Sequence, residues 1–507
     1  MLHQPEPNIM GIIRNQSIRS SFITYIGFAI GALNAYLFSK YVPPEIYGLT
    51  RIFFSTSMLF YAFASFGTAT LLNKFYPYYR DYLPIKSRDL FGIVLIVSMT
   101  GFLLVTAGTI VFHDVIDRKY QLMAPLFLQY FYLLYPFAFF LLLFTLFENF
   151  SYNHYKSVFP IFLKEVLLRA LTSILIVLLI FNLFTTVDFI WAFAFLYALL
   201  FFALLLYLKT QKTLHFTFQT SSITRRLAGK MMTFNLWIFG GSVFNAVQQN
   251  IDALMITSTK GLSYTAVLEF NTYVSNVIQV PQRSVVAIAV PVLAKAWKDR
   301  DMHAIQRIYK RSSMTMLIFS LLIFMMIWLN LESAYNILHL NPLYWEGRYI
   351  ILFYGVSRII ELGAGVNGQI IGTSNMWRFD FVSNLILIAL SVPLTYLFIK
   401  QLGITGPGIS QLITIFLFTL IRYSFLARMY QLQPFTMKTL YVVLLALLGW
   451  VVGYYLIVPE NHYLRVILRT GWFMAVFLGP IIYFEWSQDV TETFNKGLAL
   501  VRKYLRK

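Results

Sequence analysis

Five ionisable residues stand within, or at the ends of, stretches otherwise apolar enough to cross a bilayer: Arg51, Asp252, Arg283, Arg358 and Glu361. Charge at membrane depth is costly, so such groups face a bundle interior or a wet cavity. Arg283 lies between Pro281 and Pro291. Prolines release backbone carbonyls and bend a helix, which can open a cavity wall. A guanidinium fork placed there suits the oxygens of a phosphate headgroup. A salt bridge between lobes, or a place near the cytosolic interface, are the alternatives. Arg358 and Glu361 are three residues apart, share a helix face and can pair. That pair is either structural glue or a switch whose partners change.

Asp252 reads either as a helix-end carboxylate paired with Lys260, or as a gate charge or coupling-ion ligand. Arg51 opens one apolar run and Lys40 closes the run before it. Both are expected at the external rim, reaching headgroups along their aliphatic stems, with a cavity role as the alternative for Arg51. Glu269 is expected at the interface. Lys164, Glu165 and Arg169 are expected at the cytosolic mouth or on anionic headgroups.

This repertoire can bind and relay charge, but it offers no apparatus for breaking bonds. There is no glycine-rich phosphate loop and no nucleophile–base arrangement. The seven histidines are scattered without ligand spacing, and there is no cysteine. The chain is therefore expected not to be an enzyme and to carry no cofactor and no metal centre. A coupling ion, H+ or Na+, stays open.

Helices must position these residues. The chain has 507 residues, 58% of them hydrophobic and 12% charged, with mean hydropathy +0.67. A soluble domain carries about 25% charged residues. The apolar runs are roughly 20 residues long, the length of a membrane-spanning helix. The period-two alternation of a membrane barrel is missing. The fold class expected is all-α integral membrane. Runs and breaks place spans at 20–40, 50–72, 89–112, 122–147, 157–181, 187–208, 228–256, 263–294, 312–331, 347–372, 379–399, 404–427, 438–457 and 464–485. That is about fourteen transmembrane helices.

The formal net charge of +19 fits a positive-inside protein. Basic segments at 74–88, 209–230, 295–311 and 496–507 fall on the same side as the N-terminus. Both termini are expected in the cytosol. The run at 22–39 is too long for a signal-peptide core and lacks a small-residue cleavage site. No loop is long enough to fold a nucleic-acid-binding face. External loops are short, the longest near 331–346, which disfavours a glycan polymerase or ligase with an extramembrane catalytic domain. The division expected is a cytosolic segment 1–19, an N-lobe 20–208, a linker 209–227, a C-lobe 228–427, two further helices over 438–485 and a basic tail 486–507.

A weak duplication relates the two lobes. KYVPPEIYGLTR followed by FGTATLLNKFYP in the first corresponds to DALMITSTKGLSYTAVLEF followed by PQRSVVAIAVPVLAK in the second. Each is a polar hairpin at a small-residue turn, then a long helix reaching the cytosolic side near a proline (Pro77, Pro291). Six spans is an even number, so the copies run parallel, an arrangement common in transporters with the substrate site between lobes.

YVPPEIYGLTRIF followed by FGTATLLNKFYPYY resembles the opening of the polysaccharide-type flippases. QQNIDALMI with its proline-containing successor looks like their second-lobe opening. The resemblance covers nearly the whole chain, including the six-plus-six-plus-two layout. It is to the O-antigen-type, lipid-linked oligosaccharide flippases of the multidrug/oligosaccharidyl-lipid/polysaccharide exporter superfamily. The N-terminal GIIRNQSIRSSFITYIGFAIGALN looks like the group found in Gram-negative surface-polysaccharide gene sets.

The resemblance implies two pseudo-symmetric lobes in a V around a central cavity that alternates between membrane faces. It implies an undecaprenyl-diphosphate-linked oligosaccharide as substrate, flipped from the cytosolic to the outer leaflet for lipopolysaccharide, capsule or exopolysaccharide. The bacterial inner membrane is the place expected. The lipid-linked substrate, the bilayer and other polysaccharide-assembly proteins are the partners expected, with no nucleic acid. Two other functions fit the same fold. A cation-coupled multidrug exporter needs buried carboxylates, yet 20–40 holds no Asp or Glu. A lipid II flippase tends to carry several arginines in its first two spans, where this chain has Arg19 and Arg51 at span ends.

Overall fold

The computed structural model describes residues 9–492 and 494–495. The first residues of the cytosolic segment, 1–8, and the basic run 496–507 of the tail lie outside the described residues. The described chain is all-helical, with no strand. It packs as two compact units, Met1–Glu269 and Phe270–Lys507.

The first unit holds α1 (Ile9–Tyr41), α2 (Pro44–Ser65), α3 (Thr68–Tyr82), α4 (Leu90–Val111), α5 (His113–Tyr120), α6 (Pro125–Gln129), α7 (Leu134–Asn153), α8 (Val158–Phe162), α9 (Leu168–Ile180), α10 (Thr186–Ala194), α11 (Leu196–Thr210) and α12 (Ser222–Lys260). The division falls inside α13 (Leu262–Asn276). The second unit continues with α14 (Val280–Lys298), α15 (Met302–Leu338), α16 (Leu343–Glu346), α17 (Arg348–Gly363), α18 (Asn367–Thr373), α19 (Trp377–Leu402), α20 (Gly406–Tyr430), α21 (Met437–Leu456) and α22 (His462–Tyr483).

Each stretch expected to span falls on one or more of these helices. Among the described residues, nine are long and apolar enough to cross a membrane by length and composition, or up to eleven if each bent pair is one span. The bent pairs are α2 with α3, at 47°, and α17 with α18, at 48°. Two helices, α19 and α20, share the single apolar run Arg378–Tyr430.

In the first unit α2 is the central element, packed on α4, α7 and α12. Pro44 starts it at a position where the missing N–H costs no hydrogen bond. It ends at Phe66 and Gly67, both left-handed, and the chain bends there instead of running straight to residue 72. The Phe66 ring stacks on Phe239 of α12 at 4.2 Å. Gly48 explains the YG of the opening motif. A Cβ on it would lie 1.9 Å from the Leu262 carbonyl oxygen, so only glycine lets α2 reach the α12–α13 turn. That turn is narrower than the gap between the expected spans 228–256 and 263–294 suggests. Helix continues through Lys260, and Gly261 alone, at φ +93, reverses the chain.

The linker 209–227 belongs to the first unit and is tied down by a carboxylate. Asp89 is fully buried, and its Oδ2 accepts from the Ser221 N–H at 2.8 Å and the Thr224 hydroxyl at 2.7 Å. Anionic oxygen at the first turn of α12 complements the positive helix end.

In the second unit α15 is the spine, against which α14, α17, α21 and α22 pack. Its buried face (Ile318, Leu321, Phe324, Met325) joins Phe473, Phe477 and Ile481 of α22 in one core. The opposite faces of the outer helices stay apolar and open. Leu103 and Leu104 of α4 are exposed, as are Leu444 and Leu448 of α21. Exposure of that kind over whole helix faces belongs to a chain solvated by lipid.

Candidate functional site

The polar groups buried among apolar helices form a separate cluster in each unit. In the second unit the cluster begins at a break. α13 ends at Asn276, a 3-10 turn occupies Val277–Gln279, and α14 starts at Val280. Pro281 therefore sits in the first turn of a new helix, where proline is tolerated. It does not kink a continuous helix, as the sequence reading has it; Pro291 is the proline inside α14.

The break turns two side chains towards α17. Arg358 Nη1 donates to Glu361 Oε2 at 3.0 Å, the pair that the i, i+3 spacing allows. Gln279 Nε2 donates to the same oxygen at 3.1 Å, and Arg358 Nη2 donates to Asn276 Oδ1 at 3.3 Å. Four polar side chains, from α13, the 3-10 turn and α17, are thus linked by hydrogen bonds. The Arg358 side chain is 16% exposed and that of Glu361 29%, so a ligand could still reach the pair.

Beside this pair lies a second one that the sequence reading missed. Arg422 of α20 is buried; it donates to the Asp380 carboxylate and, from Nε, to Ser383 Oγ at 3.1 Å. Its guanidinium lies 4.1 Å from the Phe418 ring centre and also feels the Glu361 charge. Gly365, at φ +66, breaks α17 from α18, and a Cβ on Gly368 would lie 2.5 Å from Arg422 Nη1. The small residues of GAGVNGQIIG make that break and that space. An arginine inside the run 404–427, and the aspartate opening the run before it, were the available signal.

The remaining expected residues are placed differently. Arg283, in the first turn of α14, is exposed. In the first unit, Arg51 Nη1 meets Glu269 Oε1 at 3.1 Å, both about a third exposed, and its guanidinium lies 5.2 Å from the Tyr47 ring centre. Asp252 is half-buried on α12, two turns before the exposed Lys260.

A polar seam of the first unit joins α1, α7 and the 157–181 stretch. That stretch contains a π-helical turn, Leu163–Leu167, a feature frequent at functional sites. Lys164 Nζ meets the buried Glu148 at 3.3 Å, and Glu148 also accepts from the Tyr152 hydroxyl at 2.7 Å. Arg169 pairs with Glu165 at 2.9 Å and donates to the Gly27 carbonyl. A Cβ on Gly27 would lie 2.4 Å from the Glu165 carbonyl oxygen, so α1 touches the π turn backbone to backbone.

Chemically, the second-unit cluster holds two guanidiniums and two carboxylates, each charge met by an opposite one. Guanidinium forks exchange carboxylate for phosphate oxygens in the same geometry. The arrangement suits binding and releasing an anion. Groups of three or more His, Cys, Asp or Glu able to hold a metal ion are not found among the described residues.

The sequence matches no protein-family model, and no curated protein matches it. Solved structures do match. One is the lipid II flippase MurJ in an inward closed conformation, with TM-score 0.65 and 15% identity over 92% of this chain and 100% of that one. A second is an inward-facing multidrug resistance transporter of the MATE family in the MOP superfamily, with TM-score 0.62 and 14% identity over 80% and 97%. An outward-facing structure of such a transporter matches with TM-score 0.52 and 14% identity over 81% and 94%. At these identities the likeness is one of architecture: the chain is similar in fold to a lipid II flippase and to multidrug transporters of the MOP superfamily.

Proposed function

We propose that the protein is a membrane transporter that flips an undecaprenyl-diphosphate-linked oligosaccharide from the cytosolic to the outer leaflet of a bacterial plasma membrane by alternating access, serving surface-polysaccharide synthesis. The observation that carries the reading is the pair Arg358–Glu361 with Gln279 and Asn276, near the middle of the bent apolar pair α17–α18 and still partly accessible. A diphosphate crossing a hydrocarbon slab needs cations at depth, and an arginine already matched by a carboxylate can accept and release it. The motifs of α2, α3 and α12 support the oligosaccharide class over its neighbours. α1 carries no Asp or Glu, which weighs against a cation-coupled exporter with a carboxylate there. Arg283, Arg358, Glu361, Asp252 and Arg51 are the proposed substrate-path residues, and Arg422 joins them.

Two other readings keep a specific support. The likeness to MurJ spans that whole chain, which favours lipid II as substrate. The MATE neighbours favour drug export. Lipid-linked intermediates in a strain lacking the protein, with leaflet sidedness probed, separate the three. Oligosaccharide trapped on undecaprenyl diphosphate in the cytosolic leaflet is the expected result. Trapped lipid II would move the protein to the second reading. Unchanged glycans with new drug sensitivity would move it to the third.

A further inference from the structure

The second unit carries a basic pocket that the transport reading does not use. Arg307, Lys310 and Arg311 project from one face of α15, as i, i+3 and i+4 positions must. They share a cavity of about 370 Å³ with Lys438 at the start of α21 and with Glu485 and Trp486 just after α22. Four cations and one carboxylate line it. Among the described residues, Arg307, Lys310 and Lys438 make no salt bridge. Thr436, the residue at which α21 begins, lies in the pocket wall, so the positive end of that helix adds to the field.

Arg311 is the hinge between this pocket and a second, largely apolar cavity of about 570 Å³. Val285, Ile288 and Val292 of α14 and Phe319 of α15 line that one. Arg311 Nε bridges both carboxylate oxygens of Asp489, at 2.9 and 2.8 Å, and Thr315 donates to Asp489 at 3.0 Å. The Arg311 bond, aided by Thr315, holds the Asp489 carboxyl below the usual carboxylate range, so the anchor stays ionised. Trp486, half-buried, is part of the lining, and indoles favour headgroup depth.

A cationic cup joined to an apolar slot fits one chemistry: a phosphate ester carrying a hydrocarbon chain. We propose that this composite site binds an anionic phospholipid of the surrounding bilayer, its phosphate among Arg307, Lys310 and Lys438 and an acyl chain along α14. Basic pockets between membrane helices hold acidic lipid headgroups in this way. A soluble anion would not need the apolar slot, and a zwitterionic lipid would gain little from an excess of two positive charges, Asp489 and Glu485 offsetting two of the four cations. The proposal is independent of which substrate is transported.

The test uses the purified full-length protein in neutral detergent, with thermal unfolding followed as phosphatidylglycerol is titrated. Phosphatidylglycerol is expected to raise the midpoint saturably while phosphatidylcholine does not. The K310Q/K438Q double variant leaves the Arg311–Asp489 anchor in place. It should keep the lipid-free midpoint and need about 10-fold or more phosphatidylglycerol for half-effect. V292W, which fills the apolar slot, should weaken the lipid effect as well. The proposal is overturned if the double variant responds like the unaltered protein. It is equally overturned if phosphatidylcholine stabilises as well, or if inorganic phosphate alone reproduces the effect.

Discussion

Arg422 and Asp380 join α20 to α19 through a guanidinium–carboxylate contact in which the arginine is almost wholly buried and the aspartate a third exposed. Removing one partner of such a pair strands the other charge. D380L should therefore destabilise the protein by roughly 3 kcal/mol, the lower end for a broken buried pair. The double variant R422M/D380L should recover most of that loss. Unfolding midpoints in detergent check this, and equal losses in single and double variants would mean that the pair contributes nothing.

Arg358 and Glu361 are the accessible pair, so their replacement should affect transport more than folding. R358Q is expected to lower translocation of lipid-linked oligosaccharide by about 10-fold, the worth of one charge-assisted bond, with the amount of protein in the membrane unchanged. The R358E/E361R swap should fold normally. If the swap also transports normally, the pair is structural only.

Arg283 tests the other half of the proposed path. It is exposed in the first turn of α14 and lines neither cavity described above. R283A should reduce surface polysaccharide without changing protein level. Normal polysaccharide in that strain would remove Arg283 from the substrate path.

Gly48 is a stability prediction. G48A places a methyl group on the Leu262 carbonyl, and the backbone must move to relieve it. A cost of about 1–3 kcal/mol follows from overpacking. G229A on α12, where a Cβ meets open space, is the control and should be near neutral.

His154, just beyond α7, gives a pH dependence. Burial pushes its imidazole below the ordinary value, while a bond to the Phe150 carbonyl opposes this; the nearby Arg88, Lys156 and Arg80 add to the lowering. Its Nε2 lies 2.7 Å from the Tyr76 hydroxyl. With the folded value depressed, the unfolded chain binds the proton first, so stability is retained above about pH 6.5 and lost as pH falls below it. H154Q should flatten the unfolding midpoint between about pH 7 and 5. An unchanged slope would assign the acid sensitivity elsewhere.

Much of the architecture was legible because lipid imposes two simple demands. Runs of apolar residues must be helical to satisfy their own backbone, and they must be long enough to cross, so composition and run length alone gave an all-helical membrane protein. Spacing also told in advance that Arg358 and Glu361 share a face, since that geometry lies within one helix. Where a helix breaks was less legible. The 3-10 turn at Val277–Gln279, the π turn at Leu163–Leu167 and the left-handed pair Phe66–Gly67 depend on what each segment packs against. Pro281 looked like a kink and is a helix start for that reason. Partner choice was out of reach altogether. Arg51 with Glu269, Arg422 with Asp380 and Arg311 with Asp489 join positions 42 to 218 residues apart. A one-dimensional pattern carries no distance between such positions; only the packing of helices against one another decides which charges meet.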